Sequence, residues 1–347
     1  MKRQTQIIKQ GGTPMARKTL LTALAVAASL FAGSALAADP VKIVYIPKNT
    51  GNPYFDSIIK GFEDGCKELG CEFTTVAPAT PEATSQIPFV TAQIQRGVNV
   101  IAISPNSPDA LNQIFDRARS RGVKIIVVNS DVPGNEAHRD AAILPVDFSQ
   151  TGSAQVELMG AMIGYKGEVA ILSATTDAPD QNVWIADMKK TLETNAKYKD
   201  IKLVTTAYGD DDPQKSTTET EALLANYPNL AGIISPTTVG VAAAAQVVET
   251  AGKAAKVHVT GLGTPNQMRR FIENGTVTAF QLWSPYNEGW LASHLAVGVM
   301  GGKIELKAGG SFEVPKLGTI KIGENNQILT QSQPTTFDKS NIADFNF

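Results

Sequence analysis

The 347-residue chain is poor in the groups that enzymes use for covalent, metal or phosphate chemistry. It has three histidines, His138, His258 and His294, far apart in sequence. His258 falls inside an expected strand and His294 on an expected helix, where both read as structural. Two cysteines, Cys66 and Cys71, cannot build a zinc cage, and no Cys/His cluster has ligand spacing. There is no phosphate loop and no G-x-S-x-G elbow. Gly261-Leu262-Gly263 leads to Asn266 instead of a third glycine, so it fails as a dinucleotide fingerprint. Asp210-Asp211-Asp212 runs into Pro213 without the glycine and distal glutamate of a calcium loop, and reads as a helix cap. Asn274-Gly275-Thr276 reads as a turn. These absences argue against catalysis and predict neither cofactor nor metal. No excess of positive charge is present either: 31 Lys and Arg stand against 33 Asp and Glu, which argues against nucleic acid as a partner.

Long apolar runs are also missing. The uncharged stretch 20–31 is well short of the ~20 residues a membrane span needs. Its setting gives it another meaning. Arg17 and Lys18 precede it, and Ala35-Leu36-Ala37 follows as a small-x-small cleavage site, with the mature chain beginning near Ala38. Residues 1–37 therefore read as an export signal, with Met15 as an alternative start. No cysteine follows the cleavage site, which argues against a lipid anchor. The expected product is released into a periplasm. Cleavage removes Lys2, Arg3, Lys9, Arg17 and Lys18 and no acid, moving the formal charge from −2 to −7.

What remains is a soluble α/β alternation. Strands are expected at 42–47, 72–76, 98–103 and 123–128, with helices at 53–69, 82–96 and 110–121 between them. Each of these helices is closed by a glycine, and the strands are mostly apolar on both faces. That combination belongs to a parallel sheet covered by helices on both sides. A second series repeats the grammar. Its strands are expected at 169–173, 202–206, 231–235, 257–261 and 277–282. Its helices are expected from about 182 and at 214–225, 239–251, 266–273 and 288–300. Phe55, Ile59, Phe62, Cys66 and Leu69 share one helix face, so Cys66 reads as a small core residue and Cys71 as the start of the next strand. Export to an oxidising compartment leaves a short-loop disulfide between them open.

A mature chain of about 310 residues suits two lobes. The expected fold is two Rossmann-like, doubly wound lobes joined by a three-crossing hinge near 146–147, 283–284 and 318–319. Residues 38–146 plus 284–313 are assigned to the N-terminal lobe, and 147–283 plus 314–347 to the C-terminal lobe.

Ligands of open α/β sheets bind beyond the carboxyl ends of the strands. Those ends are polar here. The first half supplies Lys48, Asn49, Ser104, Asn129 and Asp131. The second supplies Asp180, Gln181, Pro236, Thr237, Thr238, Gly263 and Gln281. Phe55, Trp184 and Trp283 stand nearby. Amides, hydroxyls, carboxylates and one lysine beside aromatic rings suit a neutral polyhydroxylated ligand: the polar groups bond hydroxyls, and an indole packs on the C–H face of a sugar ring. Expected hydrogen-bonding partners are Lys48, Asn129, Asp131, Asp180 and Gln181, with Phe55 and Trp283 as packing surfaces.

Several segments resemble the exported sugar-binding proteins of ABC importers. They are Ile46-Pro47-Lys48, Gly51-Asn52-Pro53-Tyr54-Phe55, Ser104-Pro105-Asn106-Ser107-Pro108-Asp109 and Asp180-Gln181-Asn182. Ser235-Pro236-Thr237-Thr238-Val239-Gly240, the run from Gly261 to Met268, and Leu282-Trp283-Ser284-Pro285 continue the likeness. The resemblance covers essentially the whole mature chain and is strongest to the rhamnose- and autoinducer 2-binding branch. It implies a type I periplasmic binding protein that closes on a monosaccharide, favouring a rhamnose-like deoxysugar. The implied partners are ABC permease subunits and a chemoreceptor, and the protein is expected to be a monomer. The autoinducer 2 pattern places ligand contacts at Lys48, Asp180, Gln181 and Pro236. This chain departs from it with Asn129 where that branch has aspartate and Thr238 where it has alanine. Tyr286-Asn287-Glu288-Gly289-Trp290 also replaces the usual acidic-Leu-Gly-Tyr segment. Autoinducer 2 uptake or sensing, and an exported sugar-modifying enzyme on the same fold, are the alternative readings.

Overall fold

The computed structural model describes residues 1–2, 4–6, 11 and 39–347. The basic, apolar and cleavage regions of the expected export signal (17–38) lie outside the described residues. Among the described residues no helix is long and apolar enough to cross a membrane. All the elements belong to the compact unit Val41–Phe347.

The first lobe opens with β1 (Lys42–Ile46), α1 (Pro53–Leu69), β2 (Glu72–Thr75), α2 (Ile87–Arg96), β3 (Val100–Ile103), α3 (Asn112–Arg119), β4 (Lys124–Val128) and β5 (Ala141–Leu144). These strands form a parallel sheet, and a late strand, β13 (Gln327–Leu329), completes its edge in the order β13-β5-β4-β3-β1-β2. The central strands are apolar on both faces because helices cover both sides. The second lobe holds α4 (Thr151–Ile163), β6 (Lys166–Ser173), α5 (Pro179–Thr194), β7 (Asp200–Tyr208), α6 (Pro213–Asn226) and β8 (Leu230–Ser235). It continues with α7 (Thr238–Thr250), β9 (His258–Gly261), α8 (Pro265–Glu273) and β10 (Ala279–Leu282). Its parallel sheet runs β7-β6-β8-β9. A bridge from Leu262 to Gln281 brings β10 alongside, and β14 (Thr335–Asp338) pairs antiparallel to β10.

Gly261, at φ +147°, lets β9 and β8 meet where they do; a Cβ there would lie 1.9 Å from the Ser235 carbonyl oxygen. After β10 the chain returns to the first lobe as α9 (Pro285–Met300), which packs along α1. The helices touch backbone to backbone: a Cβ on Gly61 would stand 2.2 Å from the Tyr286 carbonyl oxygen, and one on Gly289 2.0 Å from that of Ile58. An antiparallel hairpin, β11 (Ser311–Val314) and β12 (Gly318–Lys321), follows, and the Trp290 indole donates to the Pro315 carbonyl at 2.8 Å.

Two differences from the sequence expectation stand out. The strand β5 and the helix α4 are additional elements. β5 is only four residues long, and α4 packs against α5, β8 and β9, so no single apolar stripe marks it. The tail also divides otherwise than expected. Residues 327–329 pair with β5 instead of joining the second lobe, so the third crossing lies after Leu329 and not near 318–319. There Thr330 N–H donates to Leu144 O at 3.0 Å and Gln331 N–H to Pro145 O at 3.1 Å, zipping the third crossing to the first. The disulfide that the sequence left open is formed, joining Cys66 and Cys71 between the end of α1 and the approach to β2.

Candidate functional site

The carboxyl ends of the two sheets face one another, and between them lies a cavity with about 350 Å³ of atom-free space, its mouth included.

Lys48 enters the cavity from the loop after β1. That loop is held by buried amides: Asn106 Nδ2 donates to Lys48 O at 2.9 Å, and Gln86 Nε2 donates to Pro47 O at 3.0 Å and Ser104 O at 2.8 Å. From the second lobe Asp180 and Gln181 arrive on the first turn of α5, whose N-terminal dipole favours a carboxylate there. Lys48 Nζ donates across the cleft to Asp180 Oδ1 at 2.6 Å and reaches Gln181 Oε1 at 3.5 Å. Both charged side chains are almost wholly buried, so each depends on the other for its counter-charge. Asn52 caps α1 by accepting from Tyr54 N–H at 3.1 Å, and its same oxygen accepts from the Thr238 hydroxyl of the other lobe at 3.2 Å.

The floor is a hydrogen-bonded cluster around Tyr54. Its hydroxyl lies 2.5 Å from Asn129 Oδ1, 2.6 Å from Glu288 Oε1 and 2.5 Å from the donating indole N–H of Trp283. Asn129 follows β4 in a left-handed conformation, φ +70°, which asparagine tolerates better than most residues. Phe55, Trp184 and Trp283 supply aromatic walls, with Trp184 and Trp283 edge to face at 5.8 Å between centroids. Leu262 and Leu282 add aliphatic lining. The remaining wall is Asp211, which accepts a hydrogen bond from the Thr237 hydroxyl. Burial pushes its carboxyl above the usual carboxylate range, against the opposing pull of Thr237 and Lys48.

The structure thus brings together nine of the expected residues in the lining: Lys48, Phe55, Asn129, Asp180, Gln181, Pro236, Thr237, Thr238 and Trp283. Five others lie elsewhere. Asn49 lines a wider vestibule outside the cavity. Ser104 is a strut, donating to Val128 O at 2.7 Å and bonded to the Tyr45 hydroxyl at 2.8 Å. Asp131 is engaged by Arg139, whose Nε and Nη2 donate at 2.5 and 2.7 Å, and by Gln327 Nε2 at 2.8 Å. With both oxygens occupied, it ties β13 to the end of β4 instead of facing the cleft. Gly263 N–H donates to Gln281 O at 3.0 Å, joining β9 to β10, and the Gln281 amide turns to Thr336 at 3.3 Å. Asn52, Tyr54, Trp184 and Asp211 are additional lining residues. Asn52 and Tyr54 lie in the 51–55 segment that carries the family resemblance and at the N-cap-proline start of α1, and Asp211 lies in the acidic run before α6.

A cleft between two parallel α/β lobes, lined by hydrogen-bonding groups and aromatic faces, is the form of a solute-binding protein. Among the described residues no cluster of metal-ligating side chains occurs. The periplasmic binding protein domain matches residues 43–304, and the chain belongs to that family. A sugar ABC transporter protein from Actinomyces odontolyticus is 38% identical, with 88% of this chain and 97% of that one covered and a TM-score of 0.71. An ABC transporter solute-binding protein from Clostridium phytofermentas with bound L-rhamnose is 32% identical, covering 88% and 98%, with a TM-score of 0.84. The D-allose-binding periplasmic protein of Escherichia coli is 26% identical over 262 residues, 74% of this chain and 83% of that protein.

Proposed function

We propose that the protein is the sugar-binding component of an ABC importer, exported to the periplasm. It would capture a monosaccharide between its lobes as a monomer and present it to the permease subunits, with a chemoreceptor as a further partner. The observation that carries this reading is the interlobe constellation of Lys48, Asp180, Gln181 and Asn129 beside Phe55, Trp184 and Trp283. Its donors and acceptors match vicinal hydroxyls, and the rings match a C–H face. Closure would be favoured by ligand because the contacts on both lobes are completed together. A rhamnose-like deoxysugar is favoured over fully hydroxylated aldoses. Leu262 and Leu282 offer an apolar seat for a methyl group, and the relative with L-rhamnose aligns over nearly its whole length.

The test is calorimetric titration with L-rhamnose, D-ribose, D-allose, D-arabinose and autoinducer 2. L-rhamnose is expected to bind tightest, and at a hundred times its Kd to stabilise the fold by about 2.7 kcal/mol. The absence of both heat and a shift in Tm across the panel would overturn the reading; binding of autoinducer 2 alone would replace it with the sensing alternative.

A further inference from the structure

The cluster below the cavity poses a problem of counting hydrogens. The Tyr54 hydroxyl has one hydrogen and two lone pairs. Trp283 Nε1, which can only donate, uses one lone pair at 2.5 Å. Two oxygens then stand within bonding distance of the single remaining hydrogen: Asn129 Oδ1 at 2.5 Å and Glu288 Oε1 at 2.6 Å. If Glu288 were ionised, it would take that hydrogen, and the Asn129 carbonyl oxygen would face a lone pair at contact distance. Asn129 would then have to turn its amide over. If Glu288 carries a proton on Oε1, every hydrogen has a place. Trp283 and Glu288 both donate to Tyr54, and Tyr54 donates to Asn129 Oδ1. The Asn129 Nδ2 amide, for which the described residues offer no acceptor, is then left to the cavity.

The surroundings choose between these states. Glu288 is fully buried, makes no salt bridge among the described residues, and its Oε2 has no partner. The groups facing it are Tyr54 on α1, Tyr45 on β1 and the carboxylate of Asp180 on α5, whose own counter-charge, Lys48, is engaged at 2.6 Å. Hydrogen bonding from Tyr54 and the nearby Trp283 indole favours the anion, but burial without a counter-charge opposes it more strongly.

We propose that Glu288 is a specificity-determining positioning residue: as a neutral acid it donates to Tyr54, and this locks Asn129 with its amide N–H toward the cavity. The site then requires an acceptor oxygen on the bound molecule at that place and disfavours one that must donate there. The proposal rests on this cavity being the ligand site. Burial holds the Glu288 carboxyl well above its usual range, and repulsion from Asp180 acts in the same direction. The neutral lock is therefore complete at low pH and is lost as the pH rises through that raised value.

The experiment has one arm without ligand and one with L-rhamnose as the probe. In the first, infrared and carbon-13 spectra of wild type and Glu288→Gln are compared. A protonated carboxyl signal is expected at about pH 7, well above the ordinary glutamate range, and it should be missing from the variant. The Asn129 side-chain amide resonances should follow the same titration in the wild type and not in Glu288→Gln. Glu288 titrating with surface acids, or Asn129 signals indifferent to it, would overturn the proposal. In the second arm Glu288→Gln, whose amide can donate as the acid does, should bind within about threefold of wild type with a flat profile on the alkaline side. Glu288→Leu should bind about tenfold more weakly while keeping its melting curve. Equal loss in both variants would also overturn it. Failure to bind any sugar with the first arm intact would instead count against the proposed cargo.

Discussion

Lys48 and Asp180 lie 132 positions apart and meet at 2.6 Å. Each belongs to a different lobe, so their pairing reports on closure more than on the stability of either sheet. On the proposed closure mechanism both ends regain water when the lobes part, and the loss of one partner then leaves no buried orphan charge in the open form. Lys48→Met is therefore expected to weaken ligand binding by about 10–100-fold, the worth of a charge-assisted hydrogen bond of ~1.5–3 kcal/mol. The ligand-free Tm should stay near that of wild type. Calorimetry beside differential scanning of the same samples checks both halves; a large fall in the ligand-free Tm would show the pair to be structural instead. At the same scale, the candidate residues the chain announced by position alone separate by what surrounds them. Asn129 and Asp131 both follow β4, yet only Asn129 lines the cavity, because Arg139 and Gln327 occupy both oxygens of Asp131.

Elements were legible where their pattern was local. Asn52 before Pro53 begins α1, and Gly70 at φ +73° ends it, so its limits of 53 and 69 follow from cap chemistry. By contrast α4 carries apolar groups around its circumference, and β5 is too short to stand out. The pairing of α1 with α9 is a contact between helices that no periodicity shows. Gly61 and Gly289 are the residues that allow it, each leaving room for the other helix's backbone. Gly289→Ala should force the helices apart and destabilise the protein by about 1–3 kcal/mol, the usual cost of overpacking. Urea unfolding should show a lower midpoint with an unchanged slope. Because Glu288 precedes this glycine and Trp283 lies just before α9, the same change should loosen the floor of the cavity. An unaltered midpoint would contradict the close packing.

For the whole molecule, the decisive feature is where the chain passes between lobes. The first and third crossings run side by side, joined by Thr330 and Gln331 N–H donors to Leu144 and Pro145. Thr330→Pro removes two donors at the end of β13, the N–H to Leu144 O and the hydroxyl to Pro145 O at 2.9 Å. It is expected to alter ligand affinity by about 5–100-fold, about 1–3 kcal/mol for two hydrogen bonds, through the balance of open and closed forms. Isothermal titration measures the change, and small-angle scattering shows whether compaction on ligand addition survives. Unchanged affinity together with unchanged compaction would mean that these bonds do not bias the hinge.

By itself the sequence determined the parallel α/β lobes and most helix limits. Both follow from apolar periodicity, N-caps and terminal glycines, all of which act over a few neighbouring residues. It also determined that polar groups gather at the carboxyl ends of the strands. Only the tertiary structure decided which of those groups meet in one cavity and which serve as struts. It likewise decided that Cys66 bonds Cys71, that β13 returns to the first sheet, and that a buried acid supports Tyr54 and Asn129. The physical reason is that hydrogen-bond and charge partners are chosen in space: Glu288 lies 234 positions from Tyr54, and no local preference of either residue encodes the contact.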